Sequence, residues 1–189
     1  HHLRDRLSIL EDALSTHQLD GLVLSAGSQS YYYQDDLEVP FRTSHHFGHY
    51  CPAEGAGHAI VLEPSKKPVL FYYYPEDYWY EHRPVGDGYW QGCFEIRSFR
   101  SLESLWKALS EYNSFGYLGP QNERAAEHGF TPVSDGFQHH LNWYRAHKTP
   151  YEIYCVDRAT ELAARGHQAA KSIFLEGGAE FDIYMAYLS

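Results

Sequence analysis

Thr149-Pro150-Tyr151-Glu152 carries the full set of signals for a helix start, and it divides the chain into two stretches of different character. Thr149 suits the N-cap, and Pro150 suits the first helical position because the N–H it lacks would be unpaired there anyway. Glu152 stands where its carboxylate reaches back to the N–H of the cap, which completes a capping box. From Pro150 onward the pattern is mostly helical. Before Tyr144, short apolar runs alternate with aromatic loops and brief helices. The expected boundary therefore places residues 1–147 in a self-contained α/β domain and residues 148–189 in a second, helical stretch.

In the first stretch, Leu3, Leu7, Leu10 and Leu14 recur at helical spacing and predict an amphipathic helix from about Leu3 to His17. Leu22-Val23-Leu24 follows as a short apolar run of the kind buried inside a mixed or parallel sheet. Ser28 is expected to cap a short aromatic helix carrying Tyr31 to Tyr33. Gln34 to Pro52 shows no sustained period, and its two prolines and one glycine predict an ordered loop. His58–Leu62 and Pro68–Tyr74 read as an antiparallel hairpin, and Pro75-Glu76-Asp77-Tyr78-Trp79 ends it. Loop from Pro84 to Gly92 leads to a strand at Phe94–Phe99. A helix capped by Ser101 presents Leu102, Leu105, Trp106 and Leu109, and a buried strand follows at Phe115–Leu118. Short helical segments are expected over Asn122–His128 and Val133–His147.

After the capping box, Ile153, Val156, Ala159, Ala163, Ala164, His167, Ala170 and Phe174 form a stripe at helical spacing that Gly177-Gly178 closes. Glu180 to Leu188 begins another helix. The pattern is still helical at Ser189, which reads as a truncated protein. The stripe is expected to pack on the first domain or on a second copy of the chain.

Lys and Arg number 15 against 25 Asp and Glu, a formal charge of −10, which argues against a nucleic-acid surface. Cys51, Cys93 and Cys155 are odd in number and widely spaced, so they offer neither a disulfide framework nor a zinc clamp, and they suit a cytoplasmic setting. No run approaches a membrane span, and the first residues do not form a signal peptide; His1 and His2 read as a tag remnant. The 17 tyrosines, several in runs such as Tyr31-Tyr32-Tyr33, suit half-buried surfaces that meet a partner and equally suit one tyrosine-rich monomer.

Among the 13 histidines, His45, His46 and His49 cluster near Cys51, and His139-His140 form a second pair, but no His-Glu-x-x-His or paired-cysteine motif accompanies them. Solvated or hydrogen-bonded histidines are the simpler reading. There is no Gly-x-Ser-x-Gly elbow and no glycine-rich phosphate loop. The acidic pair Asp35-Asp36, framed in sequence by Tyr33 and Phe41, is the better candidate. A carboxylate there can bind an ammonium group by a charge-assisted hydrogen bond, while the bland alternative is a solvated loop.

The run Asp35-Asp36-x-x-x-Pro40-Phe41-Arg42-x-x-x-x-Phe47-x-x-Tyr50-x-Pro52 resembles the N-terminal domain of bacterial Xaa-Pro dipeptidases, the prolidases, a group that includes organophosphorus acid anhydrolases. The likeness continues through Pro75-Glu76-Asp77-Tyr78-Trp79, Gly116-Tyr117-Leu118-Gly119-Pro120, Tyr144-Arg145-x-x-Lys148-Thr149-x-Tyr151-Glu152, Gly166-His167-x-Ala169-Ala170 and Glu180-Phe181-Asp182-Ile183. The chain departs from the pattern at His45, where relatives carry proline, at Tyr50, where they carry tryptophan, and at the cap position Ala179.

The resemblance implies an α/β fold: a creatinase/prolidase-type N-terminal domain with a mixed sheet flanked by helices over residues 1–147. Residues 148–189 would then be the first helices of a truncated pita-bread catalytic domain. It implies a hydrolase of dipeptides ending in proline, with two divalent metals, usually Mn²⁺, bound by residues beyond Ser189, so no metal ligand and no catalytic residue falls in this chain, which is expected to be inactive alone. It further implies a cytoplasmic homodimer whose N-terminal domain walls the partner's active site. There Asp36, rather than Asp35, would meet the free α-amine of the substrate in trans. Aminopeptidase P and creatinase share the two-domain plan, and a non-catalytic dimerisation or binding module is the alternative of a different class.

Overall fold

Leu22, Val23 and Leu24 send side chains to both faces of a sheet, and both faces are covered, so all three are fully buried. That one strand sets the architecture, because a strand apolar on both sides must lie inside a three-layer stack. The computed structural model describes residues 2–78, 84–86, 88–120 and 123–189. In chain order the elements are α1 (His2–His17), β1 (Leu22–Ser25), α2 (His45–Tyr50), β2 (Ala59–Leu62), β3 (Val69–Tyr73), β4 (Glu95–Phe99), α3 (Leu102–Leu109), β5 (Gly116–Leu118), α4 (Glu123–Glu127), β6 (Thr131–Pro132), α5 (Asp135–Ala146), α6 (Pro150–Leu175) and α7 (Glu180–Leu188). The chain divides into two compact units, His1–Asn142 and Trp143–Ser189.

In the first unit the strands form a six-stranded sheet of order β4-β3-β2-β1-β5-β6. β2 is antiparallel to both β1 and β3, while β1 pairs β5, β3 pairs β4 and β5 pairs β6 in parallel. β2 alone therefore runs against the other five. Leu22, Leu24, Ile60, Leu62 and Leu70 face a layer built by Leu10 and Leu14 of α1, Phe47 and Tyr50 of α2, and Phe137 and Leu141 of α5. Val23, Val61, Val69 and Phe71 face the opposite layer, where Leu105, Trp106 and Leu109 of α3 and Ala125 of α4 pack. Alternation along each strand thus builds two cores. The edges carry residues that discourage further pairing: Glu95, Arg97 and Ser98 on β4, and Pro132 on β6.

Two expectations fail in the stretch between β1 and β2. Residues 45–50 form a helix where loop was predicted, because Phe47, Tyr50 and Cys51 are buried on one side of it. Gly48 faces open space, and Pro40 and Pro52 fall outside the turn they were expected to break. Residues 31–33 form no helix. Tyr33 is 90 % exposed, so an aromatic helix there would have had no core to bury its face against. The two-residue strand β6 was not foreseen, since Thr131-Pro132 is too short to show a period. Trp79, at the end of the predicted strand break, and Asn122, at the predicted start of α4, lie outside the described residues.

The second unit is an antiparallel-style pair, α6 and α7, joined by a tight turn. Thr149 and Glu152 make the reciprocal bonds expected of a capping box: Glu152 N–H donates to Thr149 Oγ1 at 3.3 Å, and Thr149 N–H donates to a Glu152 carboxylate oxygen at 2.7 Å. Substituting Thr149→Ala is expected to cost about 1 kcal/mol, read as a lower denaturant midpoint with an unchanged slope. At the other end Gly177 sits at φ +81°, and Gly177 and Gly178 donate to the carbonyls of Phe174 and Ile173. That is a Schellman closure, which the left-handed conformation of Gly177 makes possible. Ala179 caps α7 with half a box, its N–H donating to Asp182.

The face of α6 that α7 covers is set by small residues. A Cβ on Gly166 would stand 2.9 Å from the Tyr187 carbonyl, and His167 and Tyr187 meet edge to face at 5.1 Å. The expected stripe is only partly covered. Ile153, Val156 and Phe174 are 50, 55 and 67 % exposed in the single chain, so α7 covers only part of the stripe.

Candidate functional site

The segment between β1 and α2 forms a narrow hairpin that lifts the acidic pair away from the sheet. Its base is fixed by Gln29, whose side-chain amide donates to the Val39 carbonyl at 2.8 Å, while Val39 N–H donates to the Ser30 carbonyl at 2.9 Å. Its stem is the Tyr31 to Glu38 bridge, with Tyr32 N–H donating to the Leu37 carbonyl. At the tip, Gln34 lies at φ +56°, in the left-handed region that side chains disfavour. Asp35 and Asp36, adjacent in sequence, take different positions in this turn. Asp35 Oδ1 accepts the Leu37 N–H at 2.9 Å, an Asx turn that uses the carboxylate internally. Asp36 is exposed, and among the described residues its carboxylate has no hydrogen-bond or ion-pair partner.

Beneath the hairpin, a cleft of about 980 Å³ opens at the edge of the sheet where β1, β3, β4 and β5 end. Ser25 and Gly27 come from the end of β1, Tyr31 and Glu38 from the hairpin, and Tyr73 from the end of β3. This is where α/β sheets commonly place ligands, because parallel strands deliver their following loops to one edge. Around its rim stand carboxylates of Glu38, Glu54, Asp77, Glu123 and Glu127, with Arg124 among them. Phe41 lines this cleft, its ring 3.5 Å from where a Cβ on Gly27 would stand, whereas Tyr33 is almost fully exposed at the tip.

His58 forms part of the cleft floor and was not singled out in the sequence. It is 3 % exposed and stacks on Tyr72 with ring centroids 4.5 Å apart. Its Nδ1 accepts the Tyr73 N–H at 3.0 Å, which requires the proton on Nε2, and Nε2 donates to the Glu54 carbonyl at 2.9 Å. Burial pushes its pKa below the ordinary 6.5, partly offset by the Glu54 carbonyl. The ring is a neutral staple between β3 and the 54–57 loop. Gly57 in that loop has φ +82°, and a Cβ there would meet the Tyr73 ring at 2.7 Å. The only sequence signal for His58 was its place at the head of a predicted strand.

Among the described residues, His45, His46, His49 and Cys51 do not by themselves bring three ligand atoms together. His45 and His46 have ring centroids 4.3 Å apart, but His46 is buried and His45 exposed. Burial pushes the nearby Cys51 thiol up to about 11, so it is not a ready thiolate ligand or nucleophile. His140 approaches Asp12 at 3.4 Å, while His139 is exposed. Among the described residues of either unit taken alone, no three His, Cys, Asp or Glu side chains bring ligand atoms together. Ser110 Oγ lies 2.9 Å from His128 Nδ1, but the hydroxyl donates to the Trp106 carbonyl, so Nδ1–H must be the donor and the serine is not activated.

The sequence model of the family described as "Xaa-Pro dipeptidase, N-terminal domain" matches residues 1–156. Xaa-Pro dipeptidases of Shewanella amazonensis and Proteus mirabilis are 31 % and 32 % identical over 100 % and 99 % of this chain. That of Sodalis glossinidius is 34 % identical over 98 % of it. The chain spans about 44 % of the length of each of these relatives. Among solved structures, Escherichia coli aminopeptidase P with the inhibitor Pro-Leu aligns with a TM-score of 0.69 at 17 % identity, over 98 % of this chain and 48 % of that one. Proline aminopeptidase P II from Yersinia pestis aligns at 0.62 and 16 % identity, over 89 % and 44 %. At such identities these structures share the fold, a mixed sheet flanked by helices.

Proposed function

Because this chain belongs to the Xaa-Pro dipeptidase N-terminal domain family, we propose that it is the N-terminal part of a dinuclear-metal hydrolase of dipeptides with C-terminal proline. The observation that carries the site assignment is the contrast within the acidic pair. Asp35 spends its carboxylate on the turn, and Asp36 presents one without a partner at the tip of a hairpin held at base and stem. In this reading the protein is a cytoplasmic homodimer, and the hairpin of one subunit walls the partner's active site. Asp36 accepts a charge-assisted hydrogen bond from the substrate's α-ammonium there. The exposed rings of Tyr31, Tyr32 and Tyr33 on the same hairpin suit a surface that meets another subunit. No helix among the described residues is long and apolar enough to cross a membrane.

A divalent metal pair, Mn²⁺ by family, would activate water and polarise the scissile carbonyl in the whole enzyme. In this reading the ligands of that pair belong to sequence outside residues 1–189, as the family resemblance implies, and residues 148–189 are the opening helices of the domain that holds them. The role left to this chain is recognition and access. With Mn²⁺ and Gly-Pro, the full-length protein is expected to turn over and residues 1–189 alone are not. Metal-dependent hydrolysis by residues 1–189 would contradict the division of labour. Release of the residue before proline from longer peptides, with no dipeptide cleavage, would favour the aminopeptidase P alternative.

A further inference from the structure

The hairpin geometry assigns Asp35 a role distinct from that of its neighbour: we infer that Asp35 is a positioning residue that fixes Asp36 through the acceptor capacity of its side chain, not through its charge. The inference rests on the reading of Asp36 as the contact to the substrate amine. Gln29 and the Ser30–Val39 bond hold the base of the hairpin, and the Tyr32–Leu37 bond holds its stem. At the tip, Asp35 N–H donates to the Tyr32 carbonyl before the pair, and Leu37 N–H donates to Asp35 Oδ1 across Asp36. The second of these closes a ring around Asp36 from one side to the other. It also opposes the left-handed Gln34 immediately before it, at φ +56°, a conformation that relaxes if the turn is released. An Asp side chain in an Asx turn works by accepting an N–H, and a neutral Asn accepts it equally well. A group that meets an ammonium needs its negative charge.

Charge and acceptor are therefore separable at the two positions. The test uses the full-length protein with Gly-Pro, measuring KM and kcat, together with hydrogen exchange at the Leu37 amide. Asp35→Asn is expected to keep KM within about twofold of wild type and to keep Leu37 protected, whereas Asp35→Ala raises KM about fivefold with little change in kcat and speeds Leu37 exchange. Asp36→Asn raises KM and leaves Leu37 exchange alone. If Asp35→Asn raises KM as much as Asp36→Asn, Asp35 meets the substrate through its charge and the positioning role is wrong. If Asp35→Ala changes neither KM nor Leu37 exchange, the turn bond does not set the hairpin and the inference also fails. An unchanged KM in Asp36→Asn, by contrast, removes the recognition reading itself.

Discussion

Asp36→Asn in the full-length protein is expected to raise KM for Xaa-Pro dipeptides by roughly 10- to 150-fold while leaving kcat near wild type. A hydrogen bond to a charged group contributes about 1.5–3 kcal/mol, and each 1.4 kcal/mol is a factor of ten in binding. The α-ammonium keeps its charge throughout the reaction, so losing this contact weakens ground state and transition state alike, and the effect falls on KM. Stability should not change, because among the described residues the Asp36 carboxylate has no partner to lose. The contact also has a salt signature. The hairpin tip is exposed before substrate arrives, so raising ionic strength should raise KM in wild type more than in Asp36→Asn. Steady-state kinetics at two salt concentrations, with thermal midpoints of both proteins, check all of this. Equal KM values in the two proteins would end the assignment.

Much of this could be read from the residues, and where reading failed the cause is physical. Both ends of α6 were legible because capping chemistry is local: Thr149, Pro150 and Glu152 act within one turn, and Gly177 takes the left-handed position that few other residues tolerate. The sheet was legible because Leu22 to Leu24 and Ala59 to Leu62 are apolar on both faces, which only an internal strand requires. The 45–50 helix was not, since it exists by burying Phe47 and Tyr50 against strands far away in sequence, against the local signal of Gly48. The hairpin at 29–39 was misread for the opposite reason. Its tyrosines look helical or buried by composition, but its shape comes from a glutamine reaching ten residues ahead and an aspartate bonding two residues ahead.

The candidate site divides in the same way. The preference for Asp36 over Asp35 came from the family resemblance alone, and the turn adds a physical difference between them: Asp35 Oδ1 accepts the Leu37 N–H, while Asp36 is exposed. His58 was legible only as the head of a predicted strand, and its role was not. Its two bonds run to Glu54 and to the Tyr73 amide on a neighbouring strand, and only strand register brings that amide to the imidazole.

His58→Ala is expected to destabilise the protein by about 3–5 kcal/mol at pH 7.5, the sum of a buried cavity and two backbone groups left without partners. His58→Phe keeps the volume and the stacking on Tyr72, so it should recover part of that loss and leave the cost of the orphaned Tyr73 N–H and Glu54 carbonyl. The wild-type staple works only as the neutral ring, since protonating Nδ1 would set its proton against the Tyr73 N–H. The folded-state pKa is lowered from 6.5, so the unfolded chain takes up the proton first as pH falls. The stabilisation is therefore complete above about pH 6.5 and is lost as pH falls through the folded-state value. Urea unfolding of wild type and His58→Phe between pH 7.5 and 5 should show their stabilities converging toward acid. Parallel pH profiles would mean that the ring is not a neutral staple, and the cleft floor would need another explanation.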